Sequence, residues 1–148
     1  MMLSIYFSLE ELTFSSTGAR LGIDNTPPPE IITNLTNLAL YILDPLRELI
    51  NMPIHVDSGY RCWPINAAVG GSKTSQHPEG KAADLIVPGL SVIDFNKIIK
   101  DAALNKGLPV DQLIREYDRW NHVSYNVGAN RCQFLQIHTG TSYLPDPA

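Results

Sequence analysis

Cysteine is scarce here, and its scarcity excludes two small-domain architectures. Cys62 and Cys132 are the only two in 148 residues, too few for a disulfide scaffold and too far apart for a zinc finger. They read as free thiols, a single disulfide between them being the alternative. Basic charge is also sparse: 11 Lys and Arg stand against 15 Asp and Glu, a net charge of -4. Phosphate binding needs a basic face, so nucleic acid is not the expected partner. No apolar run reaches membrane-spanning length, which argues against a membrane partner. Glu10 and Glu11 stand where a signal peptide would be apolar, so synthesis in the cytoplasm without a leader is expected. There is no internal repeat and no low-complexity linker. What is there, 44% hydrophobic and 18% charged, reads as one domain over 1–148, monomeric, with a core that needs no disulfide staple.

Local signals give the elements. Ser8 and Glu11 form a capping box that opens a short helix, with Gly18 and Gly22 bracketing its end, so that 1–25 is a helical lead-in. Pro27, Pro28 and Pro29 start a long helix, where a missing N–H loses no partner. Leu35, Leu38, Ala39, Ile42, Leu46 and Leu49 form its buried stripe, and Pro45 is expected to kink it. Residues 53–57 read as extended, 64–69 as a helical turn and 82–87 as a buried strand. Ser91 caps a helix over 91–104 with Ile98, Ile99 and Ala102 inward. From Asp111 the pattern is hairpin-like: strands over 112–117, 120–126 and 131–138, then a loose tail over 139–148.

The chemistry gathers in Ser75-Gln76-His77-Pro78-Glu79-Gly80-Lys81-Ala82-Ala83-Asp84, which sets an imidazole and a carboxylate seven residues apart, with His122 as a second candidate imidazole downstream. Two nitrogen ligands and one oxygen ligand make a catalytic zinc set, because three protein ligands leave a fourth position open for water. Asp84 sits among apolar neighbours, and a buried carboxylate is costly unless paired or metal-bound. His55 and His138 read as structural histidines, His138 being the substitute ligand should His122 fail. Glu79 reads as solvated in its Pro-Glu-Gly turn.

With Ser58-Gly59-Tyr60-Arg61 upstream and Trp120-Asn121-His122 downstream, these residues resemble the zinc D-Ala-D-Ala carboxypeptidase family of peptidoglycan peptidases. That family shares its fold with Hedgehog signalling domains and includes phage endolysins. The resemblance spans about residues 7–137 and implies an α+β fold, a small antiparallel sheet packed against helices. It implies one Zn2+ per chain held by His77, Asp84 and His122, with Arg61 on the substrate carboxylate or carbonyl and Ser75 bonding substrate near the metal. Trp120, on the strand face of His122, either walls the cleft or fills core. The implied activity is hydrolysis of an amide bond in a peptidoglycan stem peptide, by a carboxypeptidase or an endolysin-type endopeptidase. Such a protein acts on the cell wall after release by lysis or as part of a virion. The alternative is a non-hydrolytic, zinc-stabilised wall-binding or virion module.

The chain departs from its relatives at the base. Several carry Glu or Asp three residues before the last ligand, where this chain has Arg119. Glu116 and Asp118 are the candidates. A three-residue hairpin loop would set Glu116 opposite Trp120 and on the face of His122, whereas a two-residue loop would turn it away and leave Asp118 at the tip. Glu116 is preferred, because a strand holds a carboxylate more firmly than a mobile turn. Its bland role would be pairing with Arg115, Arg119 or Arg131.

Overall fold

The computed structural model describes residues 1–147. Among these residues six strands form one sheet in the order β1-β2-β4-β3-β5-β6: β1 His55–Ser58, β2 Ala82–Ile86, β3 Gln112–Glu116, β4 Trp120–Ser124, β5 Gln133–Ile137 and β6 Leu144–Pro145. Because side chains alternate along a strand, each face takes every second residue. Ala83, Leu85, Leu113 and Val123 join the helical residues Leu35, Leu38, Ile42, Leu46, Phe95 and Ile99 in the main core. Asp84, Ile114, Glu116, Trp120 and His122 take the opposite face, and they line a cleft. The sheet thus divides the molecule into a packed side and a chemical side.

The expected N-terminal helix is two helices, α1 Leu9–Thr13 and α2 Ser16–Leu21. Ser8 and Glu11 form the capping box, and Gly22, at φ 68°, caps α2 in the left-handed region where glycine is unstrained. Gly18 does not end a helix. It lies buried inside α2, where a Cβ would come within 2.6 Å of Ile65 Cδ1.

The long helix is also interrupted, but by more than a kink. α3 Pro29–Leu38 runs into a π turn, Ala39–Leu43, before α4 Asp44–Ile50. Pro45 has no N–H to give to the preceding turn, and the widened turn places it in the first turn of α4, where none is needed. The extra residue shifts the helical phase: Leu43 is fully buried and Leu49, expected in the stripe, is 41% exposed. α5 Trp63–Ala68 and α6 Val92–Asn105 follow. Phe95, Ile99 and Ala102 of α6 are buried, whereas Ile98 is only half-buried. Asn96 Nδ2 donates to Asn121 Oδ1 (2.8 Å), whose own Nδ2 donates to Val92 O (3.0 Å), so a polar pair ties α6 to β4.

Two expectations about the C-terminal third are corrected. β5 pairs parallel with β3, Gln112 opposite Gln133 through Glu116 opposite Ile137, so the third strand is not a hairpin return. β4 is already flanked by β2 and β3, and its last residue lies beside the start of β3. A short connection therefore delivers the chain to the outer edge of β3 at the same end, and it runs the same way. The sheet is mostly rather than wholly antiparallel. Nor is the C-terminal segment loose over its described residues: β6 pairs with β5, and Asp146 is buried between Lys100 (3.1 Å) and Arg115 (3.3 Å). Pro145 is tolerated there because β6 is an edge strand. Residue 148 of that expected tail lies outside the described residues.

Candidate metal centre

Register brings two of the groups together. Asp84 on β2 is directly opposite His122 on β4, and directly opposed residues of an antiparallel pair project from the same face. His122 Nδ1 lies 3.1 Å from Asp84 Oδ1. The third group comes from a 3-10 turn, His77–Glu79, closed by Gly80 at φ 69°. His77 Nε2 stands 3.3 Å from the same Asp84 oxygen. One ligand atom from each of His77, Asp84 and His122 lies within 4.8 Å of the others, and all three residues are buried.

The orientation of His77 is fixed from behind. Its Nδ1 is 2.7 Å from Gly59 O, and a carbonyl only accepts, so the proton sits on Nδ1 and Nε2 faces Asp84. Gly59 has no alternative residue at its position: a Cβ would meet Leu12 O at 2.3 Å, because Tyr60 N–H donates to that same carbonyl at 2.8 Å. Ser75 Oγ accepts from His77 N–H at 3.2 Å and steadies the turn.

A carboxylate oxygen facing an imidazole lone pair is repulsive unless a proton or a metal cation lies between them. The donor set therefore fits a cation, and two nitrogens with one oxygen fit zinc. Burial works against the charged form of Asp84, but His77 and His122 outweigh it and hold the carboxyl well below its usual range. Burial opposes the charged form of His122 as well, and the hydrogen bond and charge of Asp84, with Glu116 beside them, raise it overall.

The hairpin loop has three residues, since Glu116 is paired with Trp120. Glu116 accordingly faces the cluster, with Oε1 3.6 Å from His122 Nδ1. Burial raises its pKa, and the Asp84 charge adds to that. Asp118 is at the exposed tip, in an ion pair with Arg115. Arg61 points toward the same cluster: burial lowers its pKa while the charges of Asp84 and Glu116 raise it. Its Nη1 donates weakly to Ser58 Oγ at 3.4 Å, and its Nε is buried without a partner. Trp120 is half-buried at the cleft, edge-on to Tyr117 with ring centroids 6.1 Å apart, and its Nε1 has no partner.

Arg61, Ser75, His77, Asp84, Glu116, Trp120 and His122 border one cleft of about 830 Å³. The groups that sequence reasoning missed are also there. Asp111, 1% exposed, accepts from Arg131 Nε and Nη2 and from Gln76 Nε2, each at 2.9 Å. Gln76 lies between Ser75 and His77, within the stretch that holds the ligands, whereas nothing in the sequence marks Asp111. His55 is exposed, and His138 contacts Gln136 Oε1 at 2.9 Å on β5, so neither joins the cluster. Both cysteines are free. Among the described residues no helix is long and apolar enough to cross a membrane.

A search of curated proteins finds no match to the chain. The sequence model of the Peptidase M15 family matches residues 5–124, a span that contains His77, Asp84, Glu116 and His122. With most of its length matched and a buried His-Asp-His group able to bind a metal, the chain belongs to the Peptidase M15 family of zinc-dependent peptidases.

Proposed function

We propose that the protein hydrolyses an amide bond in peptidoglycan stem peptides, as a carboxypeptidase or an endolysin-type endopeptidase, using one zinc ion per chain. The observation that carries this reading is the placement of Glu116 3.6 Å from His122, beside a buried carboxylate shared by two imidazoles. His77 Nε2, Asp84 and His122 Nδ1 are the ligand atoms in this assignment. Zinc, when bound, supplies Lewis acidity toward a carbonyl and toward water near neutral pH.

The chain's own groups do the rest. Glu116 takes a proton from the attacking water as its oxygen bonds to the carbonyl carbon, and returns that proton to the amide nitrogen as the C–N bond breaks. A carboxyl raised above its ordinary value by burial suits both halves of that exchange. Arg61, permanently charged and forked, holds the substrate carboxylate or the developing oxyanion. Ser75 and Trp120 border the cleft as further substrate contacts. On this reading the substrate lies outside the cytoplasm, and the protein meets it after lysis or as part of a virion.

Digestion of purified sacculi, with mass spectrometry of the released fragments, tests the activity and names the bond. Release of new free termini from stem peptides is expected. Binding to sacculi with no cleavage by zinc-loaded protein would favour a wall-binding module instead.

A further inference from the structure

The chain beyond residue 124 lies outside the family match, yet it builds part of the cleft. Tyr143 borders the same cavity as His77, Asp84, Glu116 and His122. It is held there from both sides. Before it, the turn over 138–141 closes on itself, with Thr141 N–H donating to His138 O and His138 N–H donating to Thr141 Oγ1, each at 3.0 Å. After it, Leu144 and Pro145 pair with β5, and Asp146 N–H donates to Phe134 O at 3.0 Å. The Asp146 side chain is fixed by Lys100 and Arg115. These two anchors flank Tyr143, which is itself 49% exposed at the cleft.

The surroundings of Tyr143 have a definite chemistry. Tyr117 and Trp120 border the same cleft, so three aromatic side chains stand near Glu116. The Tyr143 phenol, protonated across the neutral range at its ordinary value and raised further by burial and the Glu116 charge, is a hydrogen-bond donor there. Aromatic walls with a phenolic donor suit a peptide of small side chains: rings cover methyl groups, and the hydroxyl meets a backbone carbonyl.

We propose that Tyr143 is a substrate-binding residue whose ring packs on the bound peptide and whose hydroxyl donates to a peptide carbonyl, with Asp146 as the positioning residue that holds it at the cleft. This rests on the stem-peptide reading above. The test is equilibrium binding of a soluble muropeptide with a pentapeptide stem to zinc-loaded protein carrying Glu116→Gln, so that binding is read without turnover. In that background Tyr143→Ala is expected to weaken binding roughly tenfold and Tyr143→Phe about threefold, with zinc content unchanged. Asp146→Asn should weaken binding in the same direction, and its effect should largely vanish when combined with Tyr143→Ala. Unchanged affinity in Tyr143→Ala, with tight binding by its parent, overturns the assignment alone, and full additivity of the two substitutions overturns the positioning role of Asp146. No binding by the Glu116→Gln parent sinks the stem-peptide reading, and this inference with it.

Discussion

Asp84 and Asp111 are both nearly fully buried carboxylates on one cleft, 4% and 1% exposed, and they are satisfied in opposite ways. Asp111 accepts two hydrogen bonds from the Arg131 guanidinium, one from the Arg131 backbone N–H and one from Gln76, all at 2.9 Å. Its charge is met by a permanent cation. Asp84 faces two imidazoles converging on a single oxygen, at 3.1 and 3.3 Å, and one of those imidazoles has its Nδ1 proton committed to Gly59 O. The contrast teaches how to separate a structural buried acid from a ligand. The first closes its own electrostatics with protein groups, and the second is complete only when a further cation arrives.

Substitutions on both halves of the cleft break or sharpen that contrast. The largest effect is expected from His122→Ala, which should abolish hydrolysis and most zinc binding, read by elemental analysis of the purified protein. Chelation of the parent should likewise stop hydrolysis while circular dichroism stays folded, because the main core lies on the opposite face of the sheet. Next, Glu116→Gln should keep zinc and fold and slow hydrolysis by roughly a hundred- to ten-thousand-fold. Asp118→Asn should leave the rate near that of the parent, its carboxylate being engaged by Arg115 at an exposed tip.

Asp111→Asn belongs to the other half of the comparison. It should lower stability by about 1–3 kcal/mol in denaturant titrations and leave zinc content alone. Its pH signature follows from the hydrogen bonds of Arg131, which bring the carboxyl from 3.8 down to about 2. A depressed acid stabilises the fold fully above its unfolded value, so that contribution is present above about pH 4 and is lost as pH falls through about 2. Acid unfolding of Asp111→Asn should lack this component. Among the residues given a role in the reaction, the smallest loss is expected from Arg61→Lys, roughly tenfold in kcat/KM at normal zinc content, since an ammonium copies a forked guanidinium poorly. Unchanged kinetics would return Arg61 to an ordinary surface role.

The metal-facing half was far more legible in the sequence than the rest of the cleft. His77, Asp84 and His122 were legible through the company they keep, Ser58-Gly59-Tyr60-Arg61 upstream and Trp120-Asn121 beside His122, and the three-residue hairpin loop then sets Glu116 on the face of His122 and Asp118 at the tip. Arg131 and Tyr143 carry no such signal, because each reaches the cleft through the parallel placement of β5 beside β3, and Asp111, just before β3, stands out only once Arg131 is set against it. That placement depends on which sheet edge is free, a property of the assembled sheet and not of any local window. The same holds for the phase shift after the π turn, which buried Leu43 and exposed Leu49 against the helical periodicity. Gly59 was visible as part of a motif, but its role, a carbonyl set against His77 at a point where no Cβ fits, emerges only with α1 packed behind it.

The most direct test of the contrast between the two buried acids is zinc binding, measured by titration calorimetry on the parent, Asp84→Asn and Asp111→Asn side by side. The account predicts one equivalent of tightly bound zinc for the parent and for Asp111→Asn, and loss of that binding in Asp84→Asn. Retention of a full equivalent by Asp84→Asn, or its loss in a folded Asp111→Asn, would contradict it.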